Sequence, residues 1–227
     1  MTLRPTLLML AALSLGSALP ATAQTVQATY AGLVDDDSGL GLVGQTMSVS
    51  MVYDASVAPD YAFANTRAAG FTDLLQSMTV SVGALQWTWQ SSSGGSFLSL
   101  EDDAPRFFTP VEDAVVLDAY DFAGTDLFPD TVNHSLAVYL YDHTNADGLA
   151  DYATIPSQPI DPARFEDGQI MEFSFTVGDP ELGDIYRIST HAFGLAAPVP
   201  EPGTLAMWLA GVGVLGSLSA RRLRAGQ

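Results

Sequence analysis

The sequence predicts an all-β protein, an antiparallel β-sandwich or jelly-roll-like ectodomain, with an N-terminal signal helix and a C-terminal single transmembrane helix. Three observations carry this. Apolar and polar residues alternate with period two across residues 24–197, no long amphipathic helical pattern interrupts them, and each end of the 227-residue chain is an apolar run bordered by arginine. The chain divides into a signal peptide (1–23), a β domain (24–197) and a C-terminal signal (198–227). The middle part, roughly 175 residues, suits one sandwich with a substantial core and is too short for two large domains.

The alternation runs as follows. Val26, Ala28 and Tyr30 alternate with Gln27 and Thr29; Met47, Val49 and Met51 alternate with Ser48 and Ser50. Met78, Val80 and Val82 are followed, after Gly83 and Ala84, by Leu85, Trp87 and Trp89. A two-residue Gly-x loop between matched strands predicts a type II′ hairpin. Further strands are expected at Phe97–Leu100, Ala114–Tyr120, Ser135–Tyr141, Ile170–Val177 and Ile185–Ala192, about nine in all. In Met171, Phe173, Phe175 and Val177 the large apolar face opposes Glu172, Ser174 and Thr176, so one face packs and the other is wet. A β-solenoid would need a repeat of fixed period, and the sequence has none.

Two long connections, Asp54–Asp73 and Asp142–Gln169, break the regularity, and connections of that length are usually functional or mobile. A short helix is expected in the first, near Ala62–Ala69. The second contains Asp142, His143, Asn145, Asp147, Gly148 and Asp151, which partly imitates a calcium loop. With Gly148 as the turn glycine, however, the first ligand place holds His143 and the twelfth holds Thr154 where a bidentate Glu belongs. An Asx-rich turn accounts for these residues better, so no metal or other cofactor is assigned and calcium stays the minor alternative. The runs Asp35–Asp37 and Glu101–Asp103 are likewise expected to be solvated loop clusters.

All 26 acidic residues fall between Asp35 and Glu201, opposed there only by Arg67, Arg106, Arg164 and Arg187, so that stretch carries −22. Such a field repels phosphate backbones and anionic lipid, which argues against nucleic acid as a partner. The chain has no cysteine, which excludes disulfides, thiolate metal sites and cysteine nucleophiles.

Arg4, the Leu/Ala/Met-rich run Thr6–Leu19 and Pro20 precede Ala21, Thr22 and Ala23. That order predicts a secretory signal peptide cut by signal peptidase between Ala23 and Gln24. At the other end Thr204–Ala220 is uncharged and apolar, about 17 residues, the short limit for a bilayer-spanning helix. Arg221, Arg222 and Arg224 follow it. By the positive-inside rule they hold the C-terminus in the cytoplasm and place the acidic domain across the inner membrane, in agreement with the signal peptide. Immediately before the span stand Pro200, Glu201 and Pro202, a stiff extended segment at the outer membrane surface.

The tail Val199–Gln227 resembles the PEP-CTERM sorting signal: Pro-Glu-Pro at Pro200, Glu201 and Pro202, a Gly/Leu-rich span, then the arginines Arg221 and Arg222. The order of three features makes the match specific, and there is no Leu-Pro-x-Thr-Gly, no cysteine and no Gly-Gly before the span. The resemblance implies exosortase as a partner, in Gram-negative bacteria that often make extracellular polysaccharide. It also implies cutting near the motif and delivery to the cell surface or matrix; anchoring by an uncut single span is the competitor. The ectodomain resembles β-rich domains of PEP-CTERM proteins, through Tyr30-Ala31-Gly32 and the Ser-rich strand Ser48–Asp54 followed by Asp60. That resemblance implies a sandwich and carries no activity.

Motifs for catalysis are lacking. His134, His143 and His191 form no His-x-x-x-His pair, and there is neither a Gly-x-Ser-x-Gly elbow nor a phosphate-cradling glycine loop. Many carboxylate pairs could serve glycoside hydrolysis, and the sequence selects none. Trp87 and Trp89 share one strand face and are expected in the core; exposed, they would make a sugar-stacking strip. The reading is therefore a non-enzymatic surface or matrix protein. The alternatives are a carbohydrate-binding module that holds extracellular polysaccharide, and behind it a secreted glycoside hydrolase.

Overall fold

The computed structural model describes residues 24–92, 94–105, 112–144 and 147–196. Both predicted terminal signals, and Asn145, lie outside the described residues. Among the described residues no helix is long and apolar enough to cross a membrane.

Among the described residues thirteen strands form two antiparallel sheets. The first sheet is ordered β13-β1-β2-β5-β6-β9, from Phe193–Leu195 (β13), Thr25–Leu33 (β1), Thr46–Asp54 (β2), Leu75–Val82 (β5), Leu85–Gln90 (β6) and Ala123–Gly124 (β9). The second is ordered β12-β11-β10-β8-β7-β4-β3. Its strands are Asp184–Thr190 (β12), Gly168–Val177 (β11), Thr131–Asp142 (β10), Asp113–Tyr120 (β8), Ser96–Glu101 (β7), Ala68–Thr72 (β4) and Tyr61–Phe63 (β3).

The predicted alternation is what builds the core. Met47, Val49, Met51 and Tyr53 of β2 are buried, as are Met171, Phe173 and Phe175 of β11, while Ser48, Ser50, Val52, Glu172 and Ser174 between them are only partly covered; Thr176, expected on the wet face, is buried too. The inner faces meet in sandwich-like fashion: Trp87 of the first sheet lies 4.4 Å, centroid to centroid, from Phe173 of the second, and Phe122 meets Phe173 edge-on at 5.5 Å. Trp87 and Trp89 are core residues, at 0% and 1% exposure. The β5–β6 hairpin pairs Val82 with Leu85 across Gly83, whose φ of +58° meets the type II′ requirement at the first turn position.

Two expectations are corrected. The segment near Ala62–Ala69 forms no helix; it is the β3–β4 hairpin, with Tyr61 opposite Gly70 and Phe63 opposite Ala68. β4 pairs with β7 over five residues and buries Ala69 and Phe71 completely, so tertiary pairing overrides local propensity. Nor does the strand expected at Ile185–Ala192 run to its end. β12 stops at Thr190, whose hydroxyl donates to the Ala192 carbonyl at 3.0 Å, and the chain turns into the first sheet as β13 beside β1. Gly32 makes the crossing feasible, since a Cβ there would come within 2.6 Å of the Ala192 carbonyl oxygen.

The long connection 142–169 is a plug over one end of the two sheets. It buries Leu149, Ile155 and Phe165, and its carbonyls accept from core tyrosines: Tyr30 donates to Ile160 at 3.0 Å, and Tyr53 to Gln158 at 3.3 Å. Its one helical piece among the described residues is a 3-10 turn, Pro162–Arg164, capped by Asp161. Beneath the plug lies an apolar cavity of about 40 Å³ bordered by Tyr30, Met51, Tyr53, Val138 and Ile155. Its lining is apolar and its volume far below that of a substrate pocket.

Candidate functional site

The outer face of the second sheet is built from the positions out of phase with the core. Because Leu136, Val138 and Leu140 point inward, Ser135, Ala137 and Tyr139 point outward, and the register aligns them with neighbours on both sides. One row reads Arg187, Ser174, Ser135, Tyr120. The next reads Glu172, Ala137, Asp118, Phe97, and the third Ile170, Tyr139, Val116, Ser99, Gly70, with Tyr61 at its end. Aromatic side chains thus stand on an open face, with Tyr120, Tyr139, Tyr61 and Phe63 exposed. Tyr61 and Phe97 stack at 6.4 Å.

Polar groups lie between the rings. Burial pushes the Asp118 carboxyl above the usual carboxylate range. Burial, with the neighbouring Asp118 charge, likewise raises the Tyr120 and Tyr139 hydroxyls. Glu172 takes Arg187 Nε at 3.4 Å.

At the end of this face β10 carries a bulge. The pairing with β11 slips between Val132 and Ser135, and Asn133 adopts a left-handed φ of 54° that asparagine tolerates better than most residues. The slip opens a groove of about 320 Å³ bordered by Tyr120, Asn133, Ser135, Ser174, Thr176 and Ile185, with His134 at its floor. His134 is 8% exposed, rests at 6.0 Å from both Phe173 and Phe175, and its Nε2 is a buried nitrogen with no hydrogen-bond partner among the described residues. Burial lowers its pKa, opposed by Asp126 at 3.9 Å.

A second cluster is acidic. Carboxylate oxygens of Asp102, Asp103 and Asp113 lie within 4.8 Å of one another, which could hold a cation. Structural partners already occupy them: Arg67 pairs with Asp102 and approaches Asp103 at 3.4 Å, while Asp113 accepts the amides of Asp103 at 2.7 Å and Leu149 at 2.9 Å. Desolvation raises the Asp102 pKa in spite of Arg67.

The expectation of solvated acidic clusters is thereby corrected in part. Asp36 and Asp103 are exposed, but Asp102 is buried on Arg67 and Asp37 is buried as well, accepting the amides of Gly39, Leu42 and Val43 around its loop. In the calcium-like run, Asp142 accepts the Thr144 amide at 2.9 Å and Asp151 the Ala153 amide at 3.0 Å, the Asx turns expected there. His143 faces Glu112 at 3.4 Å, and His191 faces Asp35 at 2.8 Å.

Of the sorting residues, Ala21, Ala23, Pro200, Glu201, Pro202, Arg221 and Arg222 lie outside the described residues. Gln24 is the first described residue, and its carbonyl accepts the Ala55 amide at 2.8 Å. At the other end the Ala196 amide donates to Thr29 at 2.8 Å, so β1 holds the domain's last residues in register. Residues 198–224 match the family model of the PEP-CTERM protein-sorting motif. The chain carries a PEP-CTERM sorting signal. No curated protein and no solved structure matches the chain. The PEP-CTERM signal implies exosortase-dependent sorting of an exported protein, with exosortase as processing partner and a membrane-anchored precursor.

The exposed aromatic face was missed in the sequence, where the tryptophans drew attention. A signal for it existed: Tyr120 follows the buried Ala119, and Tyr139 separates the buried Val138 and Leu140, so both occupy wet positions of their strands.

Proposed function

We propose that this is a non-enzymatic surface or extracellular-matrix protein, exported through signal peptidase, handed to exosortase and trimmed near Pro200–Pro202. The observation that carries the reading is the position of the PEP-CTERM motif, which begins two residues beyond Ala196. Three residues stand between Ala196 and Pro200, four steps along the chain and a reach of at most about 14 Å. The domain is therefore presented close to the membrane surface where the motif would be cut. A −21 charge keeps such a domain soluble and away from anionic lipid once it is released.

Support for a non-catalytic domain comes from its histidines. His134 lies among phenylalanines, His143 faces the mostly buried Glu112, and His191 faces Asp35 on the surface. Expressing the gene with and without exosortase, then mapping both termini and the location of the product, tests the proposal. Loss of the C-terminal peptide only in the exosortase-positive cell is expected; its retention in both would refute sorting by cleavage.

A further inference from the structure

We infer that the outer face of the second sheet is a glycan-binding surface, with a neutral sugar residue seated in the groove over the Asn133–His134 bulge and the polymer continuing across Tyr139 toward Phe97 and Tyr61. The inference deepens the proposed role by naming a partner class, and it stands on geometry independent of sorting.

Sugars present apolar C–H faces and hydroxyl edges together, so a sugar site needs flat rings beside acceptors and donors. The groove supplies both. Tyr120, 49% exposed, offers a ring at one wall, and Ile185, 60% exposed, an apolar rim opposite. Between them lie the Ser135 and Ser174 hydroxyls, 2.9 Å apart, with Thr176 and the Asn133 amide, which already donates to the Pro180 carbonyl at 3.2 Å. At about 320 Å³ the groove is of the size that receives one sugar ring. His134 lies beneath it, its ring turned inward against Phe173 and Phe175. Past the groove, Ala137 keeps the floor low between Glu172 and Asp118, both able to accept hydroxyl hydrogen bonds.

Charge selects among occupants. The domain carries 21 negative charges in excess, so polyanions, anionic lipid and a second copy of the chain are all repelled, whereas an uncharged glycan meets no such penalty. A lone surface aromatic would mean little; four strands aligning rings with carboxylates and hydroxyls on one open face is the feature to explain.

Affinity gel electrophoresis of the full chain in mild detergent tests the inference, with a neutral β-glucan, a mannan, a galactan and the producing cell's own extracellular polysaccharide in the gel, and alginate as polyanionic control. Retardation by at least one neutral polymer and none by alginate is expected. Tyr120→Ala and Tyr139→Ala should each weaken it roughly tenfold, while Leu182→Ala, at an exposed position off the face, should not. Unchanged near-UV circular dichroism and urea midpoint would show the variants folded. No retardation by any neutral polymer, equal retardation by alginate, or full retardation of folded Tyr120→Ala would overturn the proposal. Failure of exosortase sorting would alter the C-terminus and location of the protein and leave this gel unchanged, so the two readings fail separately.

Discussion

The rings of Trp87 and Phe173 meet at 4.4 Å, one from each sheet, in the interior of the domain. Trp87 also donates its indole N–H to the Thr125 carbonyl at 2.8 Å, tying the segment after β9 to the β6 edge. The contact joins the two sheets through apolar burial and completes the hydrogen bonding of the one polar atom it buries.

Trp87→Ala should therefore cost about 3–5 kcal/mol in urea unfolding, since it leaves a cavity between the sheets. Trp87→Phe retains most of the volume, loses the bond to Thr125 and should cost less. A loss under about 1 kcal/mol for Trp87→Ala would show that the sheets are not held at this point.

Gly32 is required by the crossing of the chain from β12 to β13. Gly32→Ala would press a methyl against the Ala192 carbonyl and the Thr190 hydroxyl, each 2.6 Å away, and should destabilise by about 1–3 kcal/mol. Gly194→Ala, in the paired strand but facing open space, should be nearly neutral in the same thermal melts. Equal effects would mean that the crossing is looser than described.

The pH profile of stability should have two separable limbs. His134 has a lowered pKa in the fold, so the unfolded chain binds its proton more readily, and stability falls as pH drops below about 6.5 toward the folded value. At alkaline pH the sign reverses: burial pushes the Tyr53 hydroxyl up to about 12 and Tyr30 in the same direction. The stability they contribute is complete below about pH 10 and is lost as pH rises above it. His134→Leu should flatten the limb below about pH 6.5 in a series of melting temperatures and leave the alkaline limb unchanged. Carboxylates with lowered pKa, such as Asp37 held by the Leu42 amide and Asp167 held by the His143 amide, act only below about pH 4. An acid limb insensitive to His134→Leu would contradict this assignment.

Much of the fold was legible because burial imposes period two. Met47 to Met51, Met78 to Val82 and Met171 to Phe175 each declared a core face, and Gly83 declared its turn. Less was legible where partners lie far apart in sequence. Asp102 is buried because Arg67 reaches it from the end of the β3–β4 turn, and Asp37 because its own loop curls around it; neither fact shows in a run of acids. The helix expected near Ala62–Ala69 is a hairpin because β4 pairs with β3 on one side and β7 on the other. The candidate site was the least legible part, since Tyr61, Phe97, Tyr120 and Tyr139 sit on four strands and only register brings them onto one face. The sorting signal needed no such assembly. Its three features are contiguous in sequence, and the motif match at 198–224 coincides with them.

The central claim is that the C-terminal motif is an address read at the membrane and removed there. Mass spectrometry of the C-terminal peptide of the protein, from cells with and without exosortase, tests it most directly. The account predicts a terminus near Pro200–Pro202 in the first and an intact Gln227 in the second. An intact Gln227 on the mature protein of exosortase-positive cells would contradict it.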